Sequence, residues 1–452
     1  MYDDGVVPPS SSREERAARC TAGLAVLPKP AGDSRRWTAW FATRALALGL
    51  GLVAFALHRG NVFFDTNYYA RWAHGALTGS RVPYRDFSWE YPPGALVALA
   101  APAVVERLLP GGFFGQHIDV LYGAIWVCFM LAVDAAVLRF VLRREAGRPR
   151  PPATALWVYG PPLLGALSWS RYDLLPAAAA MLAVVAAGER RPSRSGALAG
   201  AGTVLKLWPA LLAPIQRTRR ATAVALCTTV AVGAATALGT RLATGSTGFG
   251  QVLTYQRRRG LQVESVVALP LLWLRRLRVP GYPTHYRFGA WEVAGGPAPV
   301  LALLIGGVSV AAIAVVAIAH WRLMRTGATA GQVALSAVTI TLITIVTNKV
   351  LSPQYLLWLL AVLVAACLLD PESWRPVLPW VLGLLALTQV VFPWLYGDLL
   401  RRGWPGLLVL TARDLVLVAL LARAFFRVLS ELHGGRRGRS AEPRESHPAG
   451  AS

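Results

Sequence analysis

The chain has 452 residues, 55% of them hydrophobic and only 15% charged, with a mean hydropathy of +0.45. A soluble domain carries about 25% charge and one soluble core stops growing near about 250–300 residues, so these values exclude an ordinary water-soluble fold and point to lipid as the solvent. The net charge of +23 sits on arginines between apolar runs, which assigns it to topology and anionic headgroups rather than to nucleic acid.

Residues 1–36 are polar and basic and read as a disordered cytoplasmic tail. The first apolar run, 37–57, has no small-residue cleavage signal behind it, so it is a retained helix and not a signal peptide. Further apolar runs follow at 94–109, 117–138, 153–168, 173–188, 196–215, 220–243, 297–320, 331–346, 353–369, 376–397 and 407–427. Several approach the ~20 residues that a helix needs to cross the hydrocarbon, whereas 94–109, 153–168 and 173–188 are short. None alternates as a membrane barrel strand does, and an open sheet cannot sit in lipid. The expected fold is therefore all-α and polytopic, with roughly 11–13 transmembrane helices in one domain over 37–427. Residues 428–452 are read as a second disordered basic cytoplasmic tail. The four cysteines are scattered and form neither a disulfide framework nor a metal pattern.

Two connections, 58–92 and 244–296, are too long to be turns, and long loops carry function. Within the second, 262–278 reads as an interfacial helix interrupted by Arg275, Arg276 and Arg278. Twelve crossings put both tails in the cytoplasm and both long loops outside. The basic linkers 139–150 and 188–196 then also fall outside, against the positive-inside rule. One short run such as 94–109 is accordingly read as re-entrant, and the arrangement of 94–215 stays open.

Acids are scarce, so those near apolar runs stand out. Asp65 follows the first run closely; it reads either as a functional carboxylate at the membrane surface or as the N-cap of a helix over "TNYYARWAHGAL". In "RVPYRDFSWEYPPG", Asp86 and Glu90 are four apart, and Tyr91 precedes Pro92 and Pro93, which suit the start of the next helix. Tyr84, Trp89 and Tyr91 there read as a site or as an aromatic belt. In "SWSRYDLLP", Arg171 and Asp173 are two apart, a spacing that gives them different partners. Lys206, in "LKLWPALLAP", either snorkels or meets an anion. In "TNKVLSPQYLLWL", Ser352 and Pro353 suit a helix start, with Lys349 just ahead and Gln354 and Tyr355 within it, a pattern suited to a phosphate. No Walker loop, dinucleotide fingerprint, zincin or serine-hydrolase elbow is present, and the seven histidines do not cluster.

Asp65, "GSRVPYRDFSWEYPPGAL", "SWSRYDLLPA", "LKLWPALLAP" and "NKVLSPQYLLWL" occur in this order. The set resembles the GT-C membrane glycosyltransferases, and within them glycosyltransferase family 87, which includes polyprenyl-phosphate-mannose-dependent α-mannosyltransferases of actinobacteria. The resemblance implies a GT-C-like fold in the plasma membrane with its active site on the extracytoplasmic side. A polyprenyl-phosphate sugar would be the donor and a lipid or glycan the acceptor, with no metal or other cofactor. It implies Asp65 as the catalytic base of an inverting transfer. Lys349, Ser352, Gln354, Tyr355, Lys206 and Arg171 would receive the donor phosphate. Tyr84, Asp86, Glu90, Tyr91 and Asp173 would meet the acceptor or the sugar. The chain departs from members with a paired Asp-Asp or Asp-Glu, which fits the metal-independent ones. A transporter or flippase of lipid-linked saccharides is the competing class, with inverted repeats as its mark.

Overall fold

A computed structural model describes residues 31–58, 61–109 and 118–437. The chain runs through α1 (Ala31–Ala56), α2 (Phe64–Thr78), α3 (Gly94–Leu108), α4 (Ile118–Arg144), α5 (Pro152–Leu163), α6 (Leu174–Gly188), α7 (Pro192–Leu205), α8 (Arg219–Thr244), α9 (Phe249–Arg258), α10 (Leu269–Arg276), α11 (Ala298–Leu323), α12 (Ala330–Val346), α13 (Leu356–Leu369), α14 (Leu378–Gln389), α15 (Tyr396–Leu400) and α16 (Trp404–Arg437). The tails expected at 1–36 and 428–452 lie mostly outside the described residues. Where described, at 31–36 and 428–437, they are helical and lengthen α1 and α16.

The fold is all-α and polytopic, as the hydropathy predicts. Six helices among the described residues are long and apolar enough to cross a membrane: Asp33–Ala56, Val120–Arg144, Arg219–Thr244, Ala298–Leu323, Pro371–Leu400 and Trp404–Leu432. Their outer faces are apolar. Leu242 is 79% exposed and Leu303 77%, a liability in water and the correct surface for lipid. Three shorter apolar helices fill the interior: α6, α12 and the stretch Pro353–Leu369 that contains α13. Every residue from Leu356 to Cys367 is buried, as expected of a helix that is apolar all round.

Apolar surface drives little helix association in lipid, so close packing and polar contacts must hold the bundle. α7 and α8 meet through Gly196 and Gly200, four residues apart. A Cβ on Gly196 would lie 2.2 Å from the Ala225 carbonyl oxygen, and Thr229 Oγ1 donates to the Gly196 carbonyl at 2.9 Å. One polar tie is a buried ion pair between α1 and α4. Arg44 Nε donates to Asp134 Oδ2 at 3.0 Å, and Nη2 donates to the Trp157 carbonyl at 2.8 Å. Trp40 Nε1 and Trp169 Nε1 complete the Asp134 shell at 3.1 and 2.8 Å. The pair thus fixes Trp169, two residues before Arg171.

The second long loop is more structured than expected. It holds α9 and α10, the latter within the stretch read as an interfacial helix, and a small antiparallel sheet of β1 (Leu261–Gln262), β2 (Thr284–Arg287) and β3 (Ala290–Val293), in the order β1-β3-β2. Phe288 and Gly289 turn the β2–β3 hairpin with φ of +51° and +72°, the double left-handed turn that suits the strand twist. The loops also dock on each other: Gln251 Nε2 donates to the Tyr84 carbonyl at 3.2 Å. Gly248, at φ +76°, admits the Tyr84 ring where a Cβ would approach it to 2.9 Å.

Removing Asp134 would strand the Arg44 guanidinium in the bundle. Asp134→Ala is expected to cost about 3–5 kcal/mol, read as a lower thermal midpoint of the detergent-solubilised protein; an unchanged midpoint would deny the pair its anchoring role.

Candidate active site

A cavity of about 770 Å³ opens where helix ends and both long loops converge. The ends of α6, α7, α12 and α13 meet there. Asp173 precedes α6, Lys206 follows α7, and the segment between α12 and α13 carries Lys349, Ser352, Gln354 and Tyr355; all of these line the cavity. The first loop adds Asp65, Glu90 and Tyr91, and Arg171 joins them from the turn before α6.

Asp65 is not an N-cap. The N-cap is Phe63, which makes no side-chain capping bond, and Asn61 closes the turn ahead of it, its Oδ1 accepting from Phe63 N at 3.0 Å. Asp65 lies inside the first turn of α2, where the helix dipole favours an acid, and its carboxylate pairs with Arg171. Arg171 is half-buried, and loss of solvation pulls its guanidinium down to about 10 against the raising pull of Asp173. As the two-residue spacing implies, Asp173 has other partners: its Oδ1 accepts from Lys206 Nζ at 2.6 Å and from Trp358 Nε1 at 2.8 Å.

Lys206 does not snorkel. Its ammonium lies 5.0, 4.6 and 5.1 Å from the ring centres of Tyr172, Tyr355 and Trp358. Tyr355 stacks on Trp358 at 4.0 Å, and Trp358 on Trp208 at 5.0 Å. This cation-in-a-box spends its charge on Asp173 and the rings. Across the cavity, Tyr91 meets Tyr172 at 5.0 Å and Trp72 at 5.6 Å. The walls are therefore aromatic faces broken by a few charges, a surface that suits sugar rings with hydroxyl groups at their edges.

Lys349 is also engaged. Its Nζ donates to the carbonyls of Arg257 and Arg259 at 3.2 and 2.7 Å, and half-burial lowers its pKa. Ser265 Oγ donates to the Asn348 carbonyl at 2.8 Å, and Gln262 N to the Lys349 carbonyl at 2.9 Å, so 348–349 is stitched to the second loop. Ser352 stands ahead of a three-residue 3-10 turn, Pro353–Tyr355, and its side chain makes no capping bond.

Asp86 and Tyr84 stay outside the cavity lining. Asp86 is exposed and closes its own turn. The Arg85 guanidinium and the Val82 N–H hold its carboxyl down at about 2. Because 81–93 is a turn and not a helix, Asp86 and Glu90 share no face. Tyr84 is buried beneath the site, its hydroxyl donating to the Tyr91 carbonyl, so it supports Tyr91 from behind.

The second loop supplies groups that the sequence reading passed over. Arg259, Tyr255, Tyr286, Phe288 and Glu264 all line the cavity. Tyr255 lies beside Glu90, and burial together with this carboxylate raises the phenol. Phe288 keeps a left-handed backbone uncommon for an aromatic residue and packs its ring on Tyr255 at 5.2 Å. Glu264 had a visible signal, being the one acid between Glu189 and Glu292. Among the described residues, no three His, Cys, Asp or Glu side chains gather as a metal site would need.

A lipid-solvated bundle with a large polar cavity among its described residues, where carboxylates and cations meet aromatic walls, defines the class, an integral membrane protein with a binding site. The sequence then supplies the family. Residues 89–353, more than half of the chain, match glycosyltransferase family 87, and the protein belongs to that family as a membrane glycosyltransferase. Asp65 lies ahead of the matched stretch. No curated protein and no solved structure matches the chain.

Lys206→Ala would leave Asp173, 1% exposed, with Trp358 as its remaining partner. A loss of about 3–5 kcal/mol is expected, and the double change Lys206→Met with Asp173→Leu should recover most of it. Thermal midpoints of the two variants check this; equal losses would mean that the pair does not couple.

Proposed function

We propose that the cavity moves a sugar, mannose in the first instance, from polyprenyl phosphate to a hydroxyl of a lipid or glycan acceptor at the extracytoplasmic face of the plasma membrane. The observation that carries this reading is the meeting of Asp65 and Arg171 in a cavity that also gathers Lys349, Arg259 and the aromatic walls. Asp65 acts as general base on the acceptor hydroxyl. The acceptor oxygen attacks the anomeric carbon from the face opposite the phosphate, the carbon–oxygen bond to phosphate breaks, and the electron pair leaves with the phosphate. The proton ends on Asp65, and the configuration inverts, as water does it in an inverting glycosidase.

A glycosyl phosphate carries its own good leaving group, so the cavity needs cations and N–H groups for the departing charge rather than an acid for the leaving oxygen. Arg259 and Arg171 are the guanidinium groups for this task. Lys349 holds the Arg259 backbone in place, and Ser352, Gln354 and Tyr355 offer hydrogen bonds beside it. Lys206 acts through Asp173 and the rings it organises. Glu90, Tyr91 and Asp173 frame the sugar, while Tyr84 and Asp86 shape the turn that carries Glu90 and Tyr91. The transfer runs without a metal, its charges met by the chain.

Asp65→Asn is expected to lower transfer by about 10²–10⁴-fold with donor affinity retained, measured with polyprenyl-phosphate-mannose and membrane acceptors by product mass; wild-type turnover would remove Asp65 as the base. Arg259→Ala should raise the donor KM with little change in that of the acceptor. An unmoved donor KM would clear Arg259 of the phosphate.

A further inference from the structure

Glu264 follows β1 in the second loop and abuts α16. It is 2% exposed and forms part of the cavity wall. Behind it, α16 carries Arg413 and Asp414, both fully enclosed. Arg413 Nε and Nη2 donate to Asp414 Oδ1 at 2.9 and 2.7 Å, and Nη2 also donates to the Glu264 backbone carbonyl. The Glu264 side chain has the weaker share: its Oε1 stands 3.6 Å from Arg413 Nη1, beyond hydrogen-bond reach.

One guanidinium therefore faces two buried carboxyl groups at the edge of the cavity. With both ionised, the cluster would carry a buried net negative charge, which is costly where the dielectric is low. Asp414 holds the short charge-assisted bonds that favour an anion. The proton belongs on Glu264. Burial pushes that carboxyl up to about 7, with Arg413 pulling against it and Asp414 adding to it. Among the described residues, Tyr396 on α15 also faces it.

We propose that Glu264 meets the substrate as a neutral carboxylic acid, donating an O–H hydrogen bond from the cavity wall to a sugar or phosphate oxygen. A carboxylate at this position would repel an anionic donor; the acid attracts it. No proton leaves Glu264 in the reaction. The substrate's identity rests on the transferase reading, but the protonation state does not. By linkage, the raised carboxyl stabilises the fold fully below its unfolded range near 4.5, and that contribution is lost as pH rises through about 7.

Two measurements decide it. The first is the infrared spectrum of the substrate-free protein. A protonated-carboxyl C=O band is expected that titrates away through about 7 and is missing from Glu264→Gln; its absence from the wild type overturns the proposal. The second is the pH profile of donor kcat/KM. Above the titration it should fall about tenfold per pH unit. Glu264→Gln, whatever its activity, should lose this alkaline limb, because its amide donates at every pH. Asp414→Asn leaves Arg413 to Glu264 alone and should move the limb to lower pH. A limb unchanged in both variants overturns the substrate contact even if the band is seen. If the wild type transfers no sugar at any pH, the transferase reading falls, and the same pH series of polyprenyl-phosphate binding, read by tryptophan quenching, decides this one.

Discussion

Asp173 accepts two short hydrogen bonds, from Lys206 and from Trp358, and three distant segments of the chain meet on that one carboxylate. Remove the acid and the ammonium loses its counter-charge in the middle of stacked rings. Remove the ammonium and the acid is buried with one neighbour. The arrangement is tolerable because the acid and the ammonium satisfy each other, and this mutual dependence defines the geometry of the cavity floor. Arg171, two residues earlier, inherits its position from the same turn, which is pinned on its other side by the Trp169 bond to Asp134. The cavity thus rests on two polar knots placed among helices that are largely apolar.

Lipid as a solvent explains why the polar groups are so concentrated. Outer helices can be apolar all over, and α8 and α11 nearly are. Charges inside must find partners or face the cavity. Those that found partners, Asp134, Asp173 and Asp414, brace the structure. Those that line the cavity, among them the Asp65–Arg171 pair, Glu90 and Arg259, are the ones placed to meet a substrate.

Much of this was legible in the sequence. The apolar runs locate the helices because crossing lipid demands length and hydropathy, and the first-loop acid, the tyrosine-proline-proline turn and the lysine-serine-proline turn all mark helix ends that reach the cavity. What was not legible depends on contacts between distant residues. Asp65 is not an N-cap because the helix starts one residue before it, at Phe64, behind a turn that Asn61 closes on Phe63. Lys349 reads as a free cation until the second loop folds over and presents two carbonyls to it. The small sheet was missed because a loop beside lipid was read for interfacial helices, although "THYRFGAWEV" alternates across a glycine turn. Arg413 and Glu264 are 149 residues apart, and no local pattern announces that they touch.

The placement of the buried charges also bears on how the chain enters the bilayer during synthesis. α16 carries Arg413 and Asp414 side by side, so it arrives with its own counter-ion and needs no earlier helix to neutralise it. α1 is different. Arg44 enters first, alone, and its counter-charge comes only with Asp134 on α4, after the whole first loop has been made. Until then the guanidinium must stay near the headgroups or keep company with water. The first helix is therefore provisional, and the α1–α4 pairing is the step that commits it, carrying the first loop and Asp65 to their final depth.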